Sequence, residues 1–162
     1  MKRIFVDLER CMGCKGCEIA CAIEHSKHKN LIDAIKQLPP PISRVRVYGN
    51  FSGSAPFQCR HCPEPYCYFA CIAGAITKAS DGTVVLDRDR CVHCYSCVMV
   101  CPFGVIKVGE EEKLCAVKCD LCEDKNIPPC VQACPTKAMF YGELEEFLNL
   151  VKRRRKKEKC IT

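Results

Sequence analysis

Residues 91–106 read "CVHCYSCVMVCPFGVI", with thiols at Cys91, Cys94, Cys97 and Cys101 and a proline directly after the last. Three thiolates at i, i+3 and i+6 let one tight loop cap three corners of a cubane while its backbone N–H groups point at the sulfurs. A fourth thiol, four residues on, falls on the following helix and faces away from that first cube. It is therefore placed to serve a neighbouring cluster. Proline at Pro102 has a fixed φ and no N–H, so the chain turns off toward the next strand.

Three other stretches carry the same logic. They are "CMGCKGCEIAC" (Cys11, Cys14, Cys17, Cys21), "CRHCPEPYCYFAC" (Cys59, Cys62, Cys67, Cys71) and "CDLCEDKNIPPCVQAC" (Cys119, Cys122, Cys130, Cys134). Cys115 and Cys160 are left over. The spacing is that of bacterial two-cluster ferredoxins, in which the fourth cysteine of each run ligates the other cluster of the pair. Four such sets predict four 4Fe-4S clusters. Structural zinc is the plain competitor, because paired C-x-x-C elements also build tetrahedral sites. Zinc has no use for a third thiol three residues on and a fourth beyond it, so four repeats of that surplus favour iron–sulfur chemistry.

Eighteen cysteines in 162 residues would be a disulfide framework in a secreted chain. The start "MKRIFVDLERC" has no apolar signal core, cleavage site or twin-arginine motif, which points to a soluble protein of the reducing cytoplasm. No apolar run is long enough for a membrane span, and direct membrane insertion is not expected. Units this small bury little apolar surface, and the clusters are the expected staple.

Repetition shapes the layout. "FVDLERC" before the first set matches "VLDRDRC" before the third, aligning Asp7 with Asp87 and Arg10 with Arg90. The second and fourth sets are variants, with four and seven residues between their second and third cysteines. One regular and one variant set per unit permits a tandem or a nested arrangement, and spacing does not choose. Short strands are expected at 3–7, 44–48, 83–87 and 104–108, and short helices after each third cysteine. Residues 17–37 read as a helical stretch with a break, and "YGNFSGSAPFQ" as a Gly/Ser-rich loop and natural boundary.

The remaining candidates have plain readings. His61 and His93 lie inside cysteine loops whose thiol count is complete, and read as solvent-exposed loop residues; His25 and His28 read as surface. Cys115 reads as a small buried apolar residue. Tyr66, Phe69 and Tyr95 suit either cluster shielding or core packing.

The stretch "GELEEFLNLVKRRRKKEKC", residues 142–160, puts Leu144, Phe147, Leu148 and Val151 on one helical face, with acids in its first turn and bases in its last. Residues 152–159 hold seven basic and one acidic residue, which equals the whole formal charge of +6 and leaves the body neutral. Each oxidised cluster with four thiolates adds about −2, so the loaded body should be acidic. The segment is expected to be an assembly element for a partner chain or for self-association, with packing onto its own body as the alternative. A basic tail also suits nucleic acid, but no nucleic-acid module is present and none is expected as a partner.

With "KCDLC" and "CPTKA", the regular–variant–regular–variant order resembles the four-cluster electron-transfer subunits of molybdenum, tungsten and nickel oxidoreductases. Within that group "CEIACAIEHSKHKNLIDAI" and "VRVYGNFSGSAPFQCRHC" are most similar to the electron-transfer subunit of nickel carbon-monoxide dehydrogenase. Small subunits of tungsten aldehyde oxidoreductases, formate dehydrogenases and hydrogenases carry the same cysteines. The resemblance implies an α+β fold of two ferredoxin-like dicluster units: an outer one from residues 1–51 and 111–142, and an inserted one from 52–110. Residues 143–162 then form a C-terminal basic helix and tail. It further implies ligand sets Cys11, Cys14, Cys17, Cys134; Cys21, Cys119, Cys122, Cys130; Cys59, Cys62, Cys67, Cys101; and Cys71, Cys91, Cys94, Cys97. The implied role is single-electron transfer between a catalytic oxidoreductase subunit and a soluble ferredoxin or another redox subunit, with no catalysis by this chain alone.

Overall fold

The computed structural model describes residues 1–50, 53–109 and 114–159. Cys160 lies outside the described residues.

Four two-stranded antiparallel sheets and six helices make up the described chain, an α+β arrangement. Strand β1 (Arg3–Val6) is followed by a 3-10 turn over Leu8–Arg10, helix α1 (Gly16–Glu24) and helix α2 (Leu31–Lys36). Next come β2 (Val45–Asn50), β3 (Gly53–Gln58), α3 (Tyr66–Phe69), β4 (Ile76–Lys78), β5 (Val84–Leu86) and α4 (Ser96–Val100). The chain then runs through β6 (Lys107–Val108), β7 (Ala116–Val117), α5 (Pro129–Gln132), β8 (Met139–Gly142) and α6 (Leu144–Lys159).

Sheet pairing joins distant parts of the sequence. β1 pairs with β8, Arg3 opposite Gly142 and Val6 opposite Met139, so the two ends of the chain meet in one sheet. The other three sheets join neighbours: β2 with β3, β4 with β5, and β6 with β7.

Two small cores result. One contains Ile4, Val45, Leu121 and Met139 with Cys17, Cys21, Cys119 and Cys130; the other contains Ile76, Val84, Ile106 and Ala116 with Cys97. The residues of the second core lie in sequence between the two halves of the first. Both cores include cysteine sulfur where a larger domain would place aliphatic groups.

The sequence expectations need four corrections. "YGNFSGSAPFQ" is not an unpaired loop: residues 53–58 form β3 and pair with β2, while residues 51 and 52 lie outside the described residues. The strand expected at 104–108 shortens to Lys107–Val108, and β8 was not anticipated at all. His61 is 1% exposed rather than solvated, and His25 is largely buried against Asp120, 3.7 Å from Nε2 to Oδ1. Tyr66 and Phe69 are exposed, so core packing does not account for them.

Helix α6 takes the intrachain alternative. Phe147 stacks on Phe5 with ring centroids 5.3 Å apart and leans on Phe140 at 6.0 Å, covering the sheet of β1 and β8. Arg154 donates to Asp7 Oδ2 at 3.3 Å and to the Lys137 carbonyl at 3.1 Å, and Arg155 donates to Glu9 at 2.8 Å. Part of the basic run is thus neutralised on the chain's own surface.

Candidate metal centres

Each cysteine loop is shaped by residues in the left-handed region. These are Gly13 and Lys15 in the first set, His61 in the second, His93 and Tyr95 in the third, and Leu121 and Cys122 in the fourth. Left-handed residues set among right-handed ones turn successive N–H groups toward one concavity, a geometry that favours anionic sulfur.

The helix carrying each third cysteine starts in one of two ways. In the regular sets a left-handed residue supplies the first acceptor: the Lys15 carbonyl takes the N–H of Glu18 at 2.9 Å, and the Tyr95 carbonyl that of Val98 at 2.9 Å. In the variant sets proline does so, Pro65 accepting from Tyr68 and Pro128 from Val131, both at 2.9 Å. The longer spacers "PEPY" and "EDKNIPP" thus set a proline of fixed φ, Pro65 or Pro128, directly before the helix, and Cys67 and Cys130 stand on the first turn as Cys17 and Cys97 do.

The fourth cysteines behave alike in three sets. Gly74, Gly104 and Lys137 have positive φ and bond back to the carbonyls of Cys71, Cys101 and Cys134, at 3.1, 3.1 and 3.2 Å. In the first set Cys21 instead stays within α1, which runs on to Glu24. Proline at this position is thus one way to make the turn and not a requirement: Ile72 also permits it.

The side chains come together across the sets. Cys11, Cys14, Cys17 and Cys134 line one cavity, and Cys59, Cys62, Cys67 and Cys101 line another. Burial pushes Cys97 up to about 11, and nearby Cys67, Cys71, Cys91 and Cys94 push the same way. Burial likewise raises Cys130, reinforced by Cys21, Cys119 and Cys122. Cys17 is raised to about 11 by burial, and Cys119 and Cys122 to about 12, again chiefly by burial.

Two thiols go the other way. For Cys134 burial opposes ionisation, but the N–H groups of Met139, Ala138 and Thr136 and the Thr136 hydroxyl outweigh it. Exposed Cys94 is lowered by the hydroxyl and N–H of Ser96. Backbone N–H groups also reach sulfur directly, Arg44 to Cys21 and Ala75 to Cys71, each at 3.2 Å.

A group of buried thiols with raised pKa values does not hold several bare thiolates without positive charge between them. Soft sulfur donors, concave loops and N–H groups aimed at sulfur suit an iron–sulfur cluster, whose iron provides that charge. The residues present fit such a cofactor.

Other expected residues take defined places. His61 holds φ 48° inside the second loop, and its Nδ1 accepts the N–H of Val84 at 3.0 Å, which leaves its proton on Nε2. Burial, with Lys118 and Arg3 nearby, holds its pKa down to about 3, so the ring is neutral. His93 and His28 are exposed, as expected. Cys115 is fully buried and accepts from Arg88 Nε at 3.1 Å. Tyr95 donates through its hydroxyl to the Leu114 carbonyl at 2.6 Å. Lys118 was missed in the sequence: it is 3% exposed, and nothing in its local pattern marks it as buried.

The 4Fe-4S dicluster domain family matches residues 52–144, more than half of the chain. The chain belongs to that family. This dicluster protein is 38% identical over 170 residues to an iron-sulfur protein of Rhodospirillum rubrum, covering 96% of this chain and 89% of that one. It is 34% identical over 162 residues to one chain of the anaerobic dimethyl sulfoxide reductase of Escherichia coli, covering 88% and 73%. With formate hydrogenlyase subunit 2 of E. coli the identity is 32% over 186 residues, covering 94% and 87%. The dicluster protein carries 4Fe-4S clusters and is an iron–sulfur electron-transfer protein of the kind that serves oxidoreductases. No helix among its described residues is long and apolar enough to cross a membrane.

Proposed function

We propose that the chain is a four-cluster electron-transfer subunit that moves single electrons between a catalytic oxidoreductase subunit and a soluble ferredoxin or another redox subunit. The observation that carries this reading is the pair of cavities in which three cysteines of one set meet the last cysteine of another: Cys11, Cys14 and Cys17 with Cys134, and Cys59, Cys62 and Cys67 with Cys101. Cys21 with Cys119, Cys122 and Cys130, and Cys71 with Cys91, Cys94 and Cys97, complete the same exchange. This is the nested layout, with one dicluster unit inserted in the other.

When bound, the clusters supply reversible one-electron storage. The residues of the chain do the rest. The cysteines hold iron, the left-handed loops aim N–H groups at sulfur, and Ile76, Val84 and Ile106 in one half and Ile4, Val45 and Met139 in the other keep water away. Hydrogen bonds to sulfur and burial of the surroundings tune the potentials.

For the catalytic partner, the resemblance of residues 11–62 favours a carbon-monoxide dehydrogenase type. The similarity to the dimethyl sulfoxide reductase and formate hydrogenlyase proteins favours the second reading, a small subunit of a molybdenum or tungsten enzyme or of a hydrogenase. In either case catalysis resides in the partner, and the cytoplasm is the expected compartment.

Anaerobically purified protein should contain about sixteen iron and about sixteen sulfide per chain. About eight of each would contradict the four-cluster reading. Native co-purification would identify the partner, and isolation as a lone chain would favour a freely diffusing ferredoxin instead.

A further inference from the structure

Lys118 is 3% exposed and stands directly before Cys119, in the half of the chain that holds the fourth cysteine set. Its ammonium donates to the Cys119 carbonyl at 2.9 Å and to the carbonyl of Val84. Val84 belongs to the other core and lines the cavity of Cys59, Cys62, Cys67 and Cys101. One cation therefore spans the boundary between the two halves, with a cysteine group on each side.

Lys118 makes no ion pair with a carboxylate among the described residues. The nearest acid in sequence, Asp120, is engaged by Arg44 and lies beside His25. A buried ammonium satisfied by carbonyls alone is an expensive structural element, and an apolar side chain of similar length would fill the space at lower cost. The cost is offset if the neighbours are anions. Four-thiolate clusters are anions, at about −2 oxidised and about −3 reduced. At the Cys67 thiol, burial and Cys59 favour the neutral form while Lys118 opposes them, as a cation close to that sulfur must.

We propose that Lys118 is a fixed positive charge shared by the clusters held on either side of it, Cys21–Cys119–Cys122–Cys130 and Cys59–Cys62–Cys67–Cys101, and that it raises both reduction potentials. The inference rests on the ligand grouping proposed above. A nearby cation in a low-dielectric interior stabilises the reduced state more than the oxidised one, because reduction adds one negative charge. One electron leaves the cluster on one side and arrives on the other. The two facing clusters thereby become the favoured resting place for an electron, midway along the path.

The test uses the full chain with Lys118→Met and Lys118→Gln, titrated with dithionite under anaerobic conditions and followed by electron paramagnetic resonance. Two midpoint potentials should move to more negative values and two should stay, with Lys118→Arg returning the shifted pair toward the wild-type positions. Full iron content with every potential unmoved overturns this inference alone. Loss of iron from both neutral variants assigns Lys118 to the scaffold and overturns it too. A wild-type chain with fewer than four clusters removes the ligand grouping itself, a separate failure read directly from the iron count.

Discussion

The backbone N–H of Asp7 donates to the carbonyl of Ala138 at 2.8 Å. Asp87 makes the same bond to Ala75, also at 2.8 Å. Each aspartate precedes a regular cysteine set, and each acceptor lies four residues after the last cysteine of a variant set. The first set is thereby closed by the fourth, and the third by the second.

This closure predicts which cysteine variants act together. Cys11→Ser and Cys134→Ser should abolish or convert the same electron paramagnetic resonance signal, each with a loss of up to about four iron. Cys71→Ser should affect a different signal, one shared with Cys91→Ser. A common signal for Cys11 and Cys71 would support tandem pairing in place of the nested layout.

Phe147 anchors α6 by stacking on Phe5 and Phe140. Phe147→Ala removes that contact from a half-buried site and should cost about 2 kcal/mol. Thermal unfolding should shift down by several degrees while iron content stays at the wild-type value. Because the helix lies on the sheet of β1 and β8 and not among the cysteines, loss of iron in the folded variant would contradict this account.

Gly49 sits in the β2–β3 hairpin at φ +132°, and an added Cβ would lie 2.1 Å from the Gly53 carbonyl oxygen. That neighbour is backbone and has no rotamer to change. Gly49→Ala should therefore break the hairpin register at a cost of about 2–3 kcal/mol. Limited proteolysis should show new cleavage within residues 45–50 or 53–58 relative to the wild-type chain.

Iron loading should depend steeply on pH. Burial places Cys17 and Cys97 at about 11 and Cys119 and Cys122 at about 12, so these thiols are neutral near pH 7 in the apo fold. Iron binds thiolate, and below the pKa each unit of rise in pH increases the thiolate fraction about tenfold. Growth of the visible cluster absorption during anaerobic reconstitution should accelerate between about pH 7 and 8.5.

The same shifts affect the stability of the apo chain. A thiol whose folded pKa is raised stabilises the fold below its unfolded value and loses that contribution as pH rises through the folded one. Apo melting temperatures should fall from about pH 9 upward toward 11–12. The loaded protein, with its thiolates bound to iron, should not show this decline.

Much of the local architecture was legible in the sequence. Cysteine spacing marked all four loops, and the helix at each third cysteine followed from it, because both depend on residues within a turn or two of one another. The match of Asp7 with Asp87 located the two equivalent openings for the same reason. The hairpin strand Gly53–Gln58 was missed because glycine, serine and proline carry little β-propensity, and its order comes from pairing with Val45–Asn50. His61 looked like a solvated loop residue, yet Val84, Arg3 and Lys118 enclose it from elsewhere in the chain.

The sequence by itself determined where thiols gather in loops, since three-residue spacing sets the geometry of a single loop wherever that loop is placed. Only the tertiary structure brought Cys134 into one cavity with Cys11, Cys14 and Cys17 and Cys101 into another with Cys59, Cys62 and Cys67, and placed Lys118 between Cys119 and Val84. Those contacts depend on β1 finding β8 and on Val84 meeting Lys118, which are long-range closures that no local spacing records.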